Sequence, residues 1–572
     1  MSTALTVLIL GGYGTFGGRL AQLLADDPRI RLLIAGRSRA KAAAFCAQLP
    51  AGATTVPLAF DREGDVAAQL RDAKPDVIVD VTGPFQLYGH EPYRVVRAAL
   101  AVGSNYLDLA DGSAFVKGIG RFDDEARRKG LFVLSGVSSF PVLTAAAARL
   151  LSADMARVDA ITGGIAPSPY AGVGLNVIRA IAGYAGKPVS VRQDGREVVA
   201  HAFTGTRRYT IGPPGRVPLK PTRFSLVDVP DLQVLPELWP GVRSVWMGAG
   251  PVPELLHRSL NLLAWLVRLK LLPSLLPFAP AMHRVINRVR WGEHRGGMFV
   301  SVEGVMKGGH AVERSWHLLA DGDDGPLIPS MAAAAIIRGW LDGRRPAPGA
   351  RSAAADLEVS DYGPLFERRA IYTGLRERLP AATPLYRQLL GDAWQSLPAP
   401  LAAMHDLTGD LTAEGVATVE RGSGVFSRLA GFLFGFPAAG QGVPVAVSFH
   451  VEHGREIWRR TFAGHSFSSV QSAGRGRFDR LLCEAFGPLT FGLALVVDDG
   501  KLRLVLRRWS FLGVPLPLGL APRGEAYESA ADGRFNFHVE IGHPLTGLIV
   551  RYRGWLRPRS AVDTAAAAIV AA

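Results

Sequence analysis

Two cysteines in 572 residues, Cys46 and Cys483, are too few and too far apart for a disulfide framework. That scarcity fits a reducing cytoplasm, the expected compartment. Acidic residues are also short: 50 Asp and Glu stand against 64 Lys and Arg, a net charge of +14. Such a balance favours phosphates, anionic substrates and anionic membrane surfaces. It comes without a zinc-finger, RNA-recognition or basic-zipper pattern, so nucleic acid is not an expected partner. Long hydrophobic runs are missing too. A spanning helix needs about 20 predominantly apolar residues. The most apolar stretch, 255–280, carries Arg268 and Lys270 near its centre. Each would cost about 2.5–3.5 kcal/mol in a bilayer. The apolar segment 5–10 is too short for a cleavable signal and runs into glycines.

What is present begins at those glycines. Leu5-Thr6-Val7-Leu8-Ile9-Leu10 reads as a strand, and Gly11-Gly12-Tyr13-Gly14-Thr15-Phe16-Gly17 follows as a G-x-G-x-x-G turn into a helix marked by Leu20, Leu23 and Leu24. Gly12 permits the tight turn, Gly14 lets backbone approach a pyrophosphate, and Gly17 lets the helix pack on the strand. Strand before and helix after is the context the motif requires. Gly11, Gly12, Gly14, Thr15, Phe16 and Gly17 are therefore candidate cofactor contacts.

The next strand, 31–35, ends in Gly36-Arg37-Ser38-Arg39-Ala40-Lys41. An NAD site usually has a carboxylate here for the ribose hydroxyls. This chain has none. A guanidinium suits a 2′-phosphate, so the expected cofactor is NADP, held by Arg37, Ser38 and Lys41. A solvated basic loop is the plainer alternative.

Strands at 55–58, 76–81, 105–109 and 131–134 alternate with helices, which implies a doubly wound parallel sheet with ligands outside the strand carboxyl ends. Asp61, Thr82, Gly83 and Pro84 fall at those ends as further cofactor candidates. Tyr88, Tyr106, Asp108 and Asp111 are the polar candidates for an acid beside the nicotinamide, and each is individually more often structural than catalytic. Arg207 and Arg208 are candidate anchors for an anionic substrate, with solvated surface as the plainer reading.

Three motifs in order, 12–17, Val81-Thr82-Gly83-Pro84-Phe85-Gln86-Leu87-Tyr88-Gly89, and Val102-Gly103-Ser104-Asn105-Tyr106-Leu107-Asp108-Leu109, resemble the saccharopine dehydrogenase-like family. The likeness extends weakly to Gly325-Pro326-Leu327-Ile328-Pro329 and covers roughly residues 3–370. It implies a Rossmann domain, an inserted α/β domain and a nicotinamide cofactor. Ala99 and Gly112-Ser113 depart from the Cys and Gly-Glu that members often carry.

The expected domains are a Rossmann domain at 1–150, a substrate or dimerisation α/β domain at 151–373, and a separate antiparallel β-rich domain at 384–558. The Pro- and Gly-rich 342–351 reads as the exit from the reductase core. Within the middle region 255–280 has two readings. One is a buried helix pair. The other is an interfacial helix with Trp265 and leucines in lipid and basic groups at headgroups, which would place a hydrophobic substrate near the site.

Past Pro384 period-two patterning takes over, and Asp498-Asp499-Gly500 between apolar runs is a hairpin signal. This suggests a curved sheet or half-barrel. It resembles a bacterial domain of unknown function fused behind reductase modules. Phe449-His450-Val451-Glu452 recurs as Phe537-His538-Val539-Glu540. On neighbouring strands the two His and two Glu could meet as a metal site; solvated strand faces are the simpler reading, and no metal is expected.

The expected function is an NADP-dependent oxidoreductase acting on a small-molecule substrate. The alternative is a non-catalytic protein that binds NADP, lipid or a partner. Contact of 255–280 with a membrane and a homodimer are both admitted.

Overall fold

The computed structural model describes residues 4–251 and 253–559. The chain forms two compact units. One holds the chain up to Tyr209 together with Thr222–Thr373; the other holds Thr210–Pro221 together with the chain from Gly374 onward.

The first unit opens with β1 (Leu5–Leu10), β2 (Ile30–Gly36), β3 (Thr54–Ala59), β4 (Val77–Asp80), β5 (Asn105–Asp108) and β6 (Phe132–Ser135). They pair in the order β6-β5-β4-β1-β2-β3, every neighbouring pair parallel. β1, β4 and β5 are buried along almost their whole length, as strands covered on both faces must be. The strand order reverses between β1 and β4, which opens a crevice at their carboxyl ends. Helix α1 (Thr15–Leu24) follows β1 and buries Leu20, Leu23 and Leu24; α2 (Arg39–Cys46) follows β2.

A second sheet is built from β7 (Met155–Ala166), β10 (Thr206–Tyr209), β11 (Thr222–Leu226), β12 (Ser244–Ala249), β13 (Arg295–Met306), β14 (Ala311–Asp321) and β16 (Ile371–Glu377), with β8 (Pro188–Gln193) and β9 (Arg196–His201) as a separate hairpin. One continuous apolar cluster runs from Val7 to Ile371, so both sheets share a core.

The segment 342–351 is not an exit from that core. β15 (Gly349–Ser352) returns to the first sheet and adds in parallel beside β6. Gly349 has φ of 132°, and Ala350 N–H donates to Asp123 Oδ1 at 2.8 Å. Pro and Gly gave the segment a linker's composition, but here they turn the chain onto a sheet edge. The chain leaves the unit later, through β16 (Ile371–Glu377).

Between β7 and β13 lie α3 (Leu175–Tyr184), α4 (Glu254–Arg268) and α5 (Ala279–Arg288). α4 divides its faces. His257, Ala264 and Val267 are buried, while Leu255, Leu262, Trp265 and Leu269 stand 40–70% exposed in one stripe. Among the described residues no helix is long and apolar enough to cross a membrane.

The second unit contains β17 (Leu411–Arg421), β18 (Gly440–Glu452), β19 (Arg455–Phe462), β20 (His465–Ala473), β21 (Leu482–Phe486), β22 (Leu489–Asp498), β23 (Lys501–Phe511), β24 (Val514–Pro515), β25 (Ala526–Ala531), β26 (Arg534–His543) and β27 (Gly547–Pro558). The order β22-β21-β20-β19-β18-β17-β27-β26-β25-β23 closes through β22–β23 pairing, so ten antiparallel strands form a barrel and β24 hangs from β23. Closure goes beyond the half-barrel reading. It depends on β17 pairing with β27, more than a hundred residues apart in sequence. The β22–β23 hairpin turns through Asp499 (φ 47°) and Gly500 (φ 67°), the two positive-φ positions of a type I′ turn.

Short helices α6 (Leu385–Leu390) and α7 (Ala399–His405) plug one end of the barrel. Tyr386 donates to Gln471 at 3.0 Å and stacks on His405 at 3.8 Å; His405 Nε2 meets Glu528 at 2.6 Å. Helix α8 (Val425–Leu433) joins β17 to β18 at the other end. β18 and β26 are separated by β17 and β27, so His450, Glu452, His538 and Glu540 do not assemble. Instead Phe449 and Phe537 turn into the barrel interior, and His450 pairs with Asp410 at 2.8 Å.

The segment Thr210–Pro221 links β10 to β11 yet belongs to the second unit, where Arg480 donates to Thr210 O and Val497 N–H to Gly215 O. Ending the chain at Thr373 would strip cover from Ile211 and Leu219, both buried. Such a chain should aggregate or lose about 5–10 °C in Tm. Tyr209 and Thr222 are direct partners across β10–β11, so replacing 210–221 by Asn-Gly should restore a soluble unit. Light scattering and a thermal melt check both; an equally stable simple truncation contradicts the assignment.

Candidate functional site

The crevice is shaped first by glycine. Gly11 has φ of 77°, and a Cβ on Gly12 would stand 2.9 Å from the Ile9 carbonyl oxygen. A Cβ on Gly17 would run into the Gly11 carbonyl, so only glycine lets α1 start this close to β1. Gly14 N–H donates to Gly11 O at 2.8 Å. Gly14 and Thr15 are exposed at the mouth, Phe16 is half-buried, and α1 begins without a side-chain cap or an acidic residue in its first turn. Amides at such a helix start suit an anion.

At the carboxyl end of β2 the Tyr13 ring lies against Gly36; a Cβ there would overlap the ring. Ser38 N–H donates to Tyr13 Oη at 3.1 Å, and Ser38 Oγ accepts Lys41 N–H at 3.3 Å, capping α2. Ser38 is thus the N-cap of α2. Arg37, Arg39 and Lys41 are exposed around it. Asp61, exposed past β3, accepts Glu63 N–H at 3.1 Å and shapes its own loop.

At β4 the chain is pinned by a buried acid. Asp80 Oδ1 accepts from Thr82 N–H at 3.0 Å, Thr82 Oγ1 at 2.5 Å and Tyr88 Oη at 3.4 Å. The Tyr88 hydroxyl is also 2.6 Å from Thr82 Oγ1, and Arg62 covers its ring at 3.4 Å. Burial and then the Asp80 charge push the Tyr88 phenol far above its usual range. Thr82, Gly83 and Pro84 remain half-buried beside the crevice.

Of the acid candidates, Tyr106 and Asp108 lie inside the sheet with no exposure. Asp108 Oδ1 accepts Gly136 N–H (2.8 Å), Ser135 Oγ (2.9 Å) and Ala110 N–H (3.0 Å), which ties β5 to β6. Asp108 thus has structural work, whereas the buried Tyr106 hydroxyl has no hydrogen-bond partner. Asp111 is the exposed one, with Oδ1 accepting from Gln86 Nε2 at 3.0 Å. Desolvation and then the charge of Asp228 raise its carboxyl, and its remaining solvent contact damps the rise.

Asp228, Tyr184 and Asn176 belong to this site and carry no local sequence motif. Ser113 Oγ donates to Asp228 Oδ1 at 2.6 Å, bridging 115 residues. Asn176, at the start of α3, donates to Gly83 O at 2.8 Å. Tyr184, at its end, has its phenol raised by burial, then by Asp111 and Asp228. Burial raises Asp228 too. Two carboxyls raised by burial and a tyrosine thus lie within electrostatic reach of one another past the strand ends, a set of groups of the kind that moves a proton. Arg207 lies over the Trp246 ring at 4.9 Å, and Arg208 pairs with Glu254.

Burial pushes Asp108 up to about 7. The unfolded chain has a carboxyl near 3.9. Between these values the folded state keeps a proton that the unfolded state has released, so this group's contribution falls as pH rises through the window. Asp108→Asn should therefore gain Tm relative to the native chain on going from about pH 5 to about pH 8. Scanning calorimetry reads the difference; a gap that does not change with pH would mean Asp108 titrates normally.

Among solved structures the chain is similar to saccharopine dehydrogenase (L-Glu forming) from Saccharomyces cerevisiae, with 13% identity, 66% of this chain and 100% of that chain covered, and a TM-score of 0.46. It is also similar to the WlbA dehydrogenase from Thermus thermophilus in complex with NAD and alpha-ketoglutarate, with 14% identity, 63% and 94% covered, and a TM-score of 0.28. Likeness at this level carries no chemistry. No curated protein matches the chain. Family models match two segments: residues 7–134 the saccharopine dehydrogenase NADP binding domain, and residues 397–556 a domain of unknown function, DUF4166. The chain therefore joins a saccharopine dehydrogenase-type NADP binding domain to a C-terminal domain of unknown function.

Proposed function

We propose that the first unit is an NADP-dependent oxidoreductase for a small, hydrophobic carbonyl, imine or activated alkene. The observation that carries the reading is the end of β2. Arg37, Ser38 and Lys41 stand where a ribose-binding carboxylate is usual, beside the Tyr13 wall. NADP supplies the hydride when bound. The bare start of α1 holds the pyrophosphate, and Arg37 and Lys41 take the 2′-phosphate. Asp111 or Asp228 holds the proton for the product oxygen, nitrogen or carbon; Tyr88 and Asp80 position the Thr82–Pro84 backbone.

Titration should show NADPH binding more tightly than NADH. Arg37→Ala should weaken NADPH alone, by about 1.5–3 kcal/mol, the range for a hydrogen bond to a charged group. Equal affinities in the native chain contradict the NADP assignment. With a panel of carbonyl, imine and alkene acceptors, NADPH absorbance should decay, and Asp111→Asn or Asp228→Asn should slow it. Tight NADPH binding with no decay on any acceptor favours the non-catalytic alternative.

We also propose that the exposed stripe of α4 meets anionic membrane. Arg268 sits over Trp265 at 4.4 Å, and Arg284 and Arg288 flank the exposed Val285 on α5. Apolar area together with about 1 kcal/mol per basic residue drives such contact. The chain should sediment with anionic vesicles at low salt, less so at high salt, and less again with Trp265→Ser and Leu269→Ser. A chain that stays in the supernatant and runs as a dimer in solution assigns the stripe to a second copy instead.

A further inference from the structure

The barrel of the second unit is hollow. A cavity of about 270 Å³ lies inside it, open at the end where α8 joins β17 to β18. Its walls are inward-facing positions of the strands, among them Phe491, Leu504, Leu506, Phe537, Val539 and Ile541. All six are only half-buried although they point inward, as side chains around an open space must be. An apolar void of this kind is a poor place for water and a good one for a hydrocarbon.

The floor differs from the walls. Arg460 donates to Glu484 at 3.0 Å and to Ser469 at 2.8 Å, and Gln471 donates to Glu484 at 3.1 Å. Tyr386 donates to Gln471 from the plug. Arg460, Gln471, Glu484 and Tyr386 all line the cavity. The floor is thus ion-paired and rich in hydrogen bonds, set beneath an apolar shaft.

The rim differs again. Among the described residues three of the five connections at the open end carry large exposed apolar side chains; the β19–β20 and β21–β22 turns, Ala463-Gly464 and Gly487-Pro488, do not. Phe426, Phe432 and Leu433 on α8 are 70–82% exposed. Leu512 after β23, Leu520 before β25 and Leu545 between β26 and β27 join them, at 57–84%. α8 buries only Ser427 and Gly431. The outer wall is unlike this rim: Ser448, His450 and Arg459 face outward from β18 and β19. The large exposed apolar side chains are concentrated at the entrance, beside Arg523 and Glu525 of the cavity lining, and the apolar lining continues into the shaft.

We propose that the barrel binds one aliphatic chain ending in an oxygen-bearing polar group, taken up from a lipid surface through this rim. The polar end rests on the Arg460–Gln471 floor, and the chain fills the shaft toward the entrance. This inference is independent of the reductase reading, because every residue it uses belongs to the second unit.

The test uses the full chain, stripped of lipid, and cis-parinaric acid as a fluorescent probe. Saturable binding of one probe per chain is expected, with displacement by oleic acid and by oleyl alcohol. Octadecene, which lacks the polar end, should compete at least tenfold more weakly. Leu504→Trp and Val539→Trp, on separate strands, should each weaken probe binding at least tenfold while NADPH binding and the melt stay unchanged. Phe432→Ser with Leu433→Ser should slow transfer from probe-loaded vesicles and leave binding of free probe intact. No saturable binding by the native chain overturns the site. Equal competition by octadecene overturns the orientation, and undiminished transfer by the rim variant overturns the route of entry.

Discussion

Everything in the first unit is arranged around one close approach, that of α1 to the end of β1. Gly12 and Gly17 permit it, and a Cβ on either would meet backbone, which cannot give way as a flexible side chain can. Because α1 starts so near the strand, its first amides open directly onto the crevice between β1 and β4. Tyr13, inside the same loop, then reaches Gly36 and Ser38 and sets the wall of the β2 end. The open start of α1 and the spacing of the two strands are one constraint. Any residue that relaxed it would move both.

The opposite side of the crevice is held by buried charge. Asp80 and Asp108 are direct partners in the β4–β5 register, both buried. Isolated carboxylates in such a place would be prohibitive. Each instead collects donors from the loop that follows its strand, Thr82 and Tyr88 for Asp80, and Ala110, Ser135 and Gly136 for Asp108. Burial also raises the Asp108 carboxyl to about 7. These acids fix where the loops leave the sheet, and Asp111, three residues past Asp108, is thereby presented to the recess. Asp231 plays a comparable part deeper in the unit, bonded to Thr144 and pushed up to about 7 by burial.

How much of this could be read from residues follows from what each signal depends on. The Gly loop, the basic β2 end and the type I′ hairpin at Asp499-Gly500 are local, so spacing and residue type were enough. The mixed second sheet and the closure of the barrel rest on pairings such as β17 with β27, which no window of periodicity contains. Asp228 and Tyr184 were out of reach for the same reason: their roles come from Ser113 and Asp111, more than sixty residues away along the chain. Tyr106 and Asp108 stood at a strand end, the expected place for an acid. Position along a strand does not say which face a side chain takes, and both turn inward. The segment 342–351 misled by composition, because Pro and Gly serve a sheet-edge turn as readily as a linker.

The exposed apolar surface of the two units follows a common logic. A soluble protein rarely exposes a contiguous apolar patch beyond a few hundred Å² without a use for it. Here such residues are concentrated on the stripe of α4 and at the rim of the barrel, with others such as Leu87, Val199, Trp291 and Val416 standing elsewhere. Leaving Phe426, Phe432 and Leu433 in water is unfavourable by about 1.5–3 kcal/mol per side chain relative to burial. A rim of that kind persists when something apolar covers it for part of the working cycle.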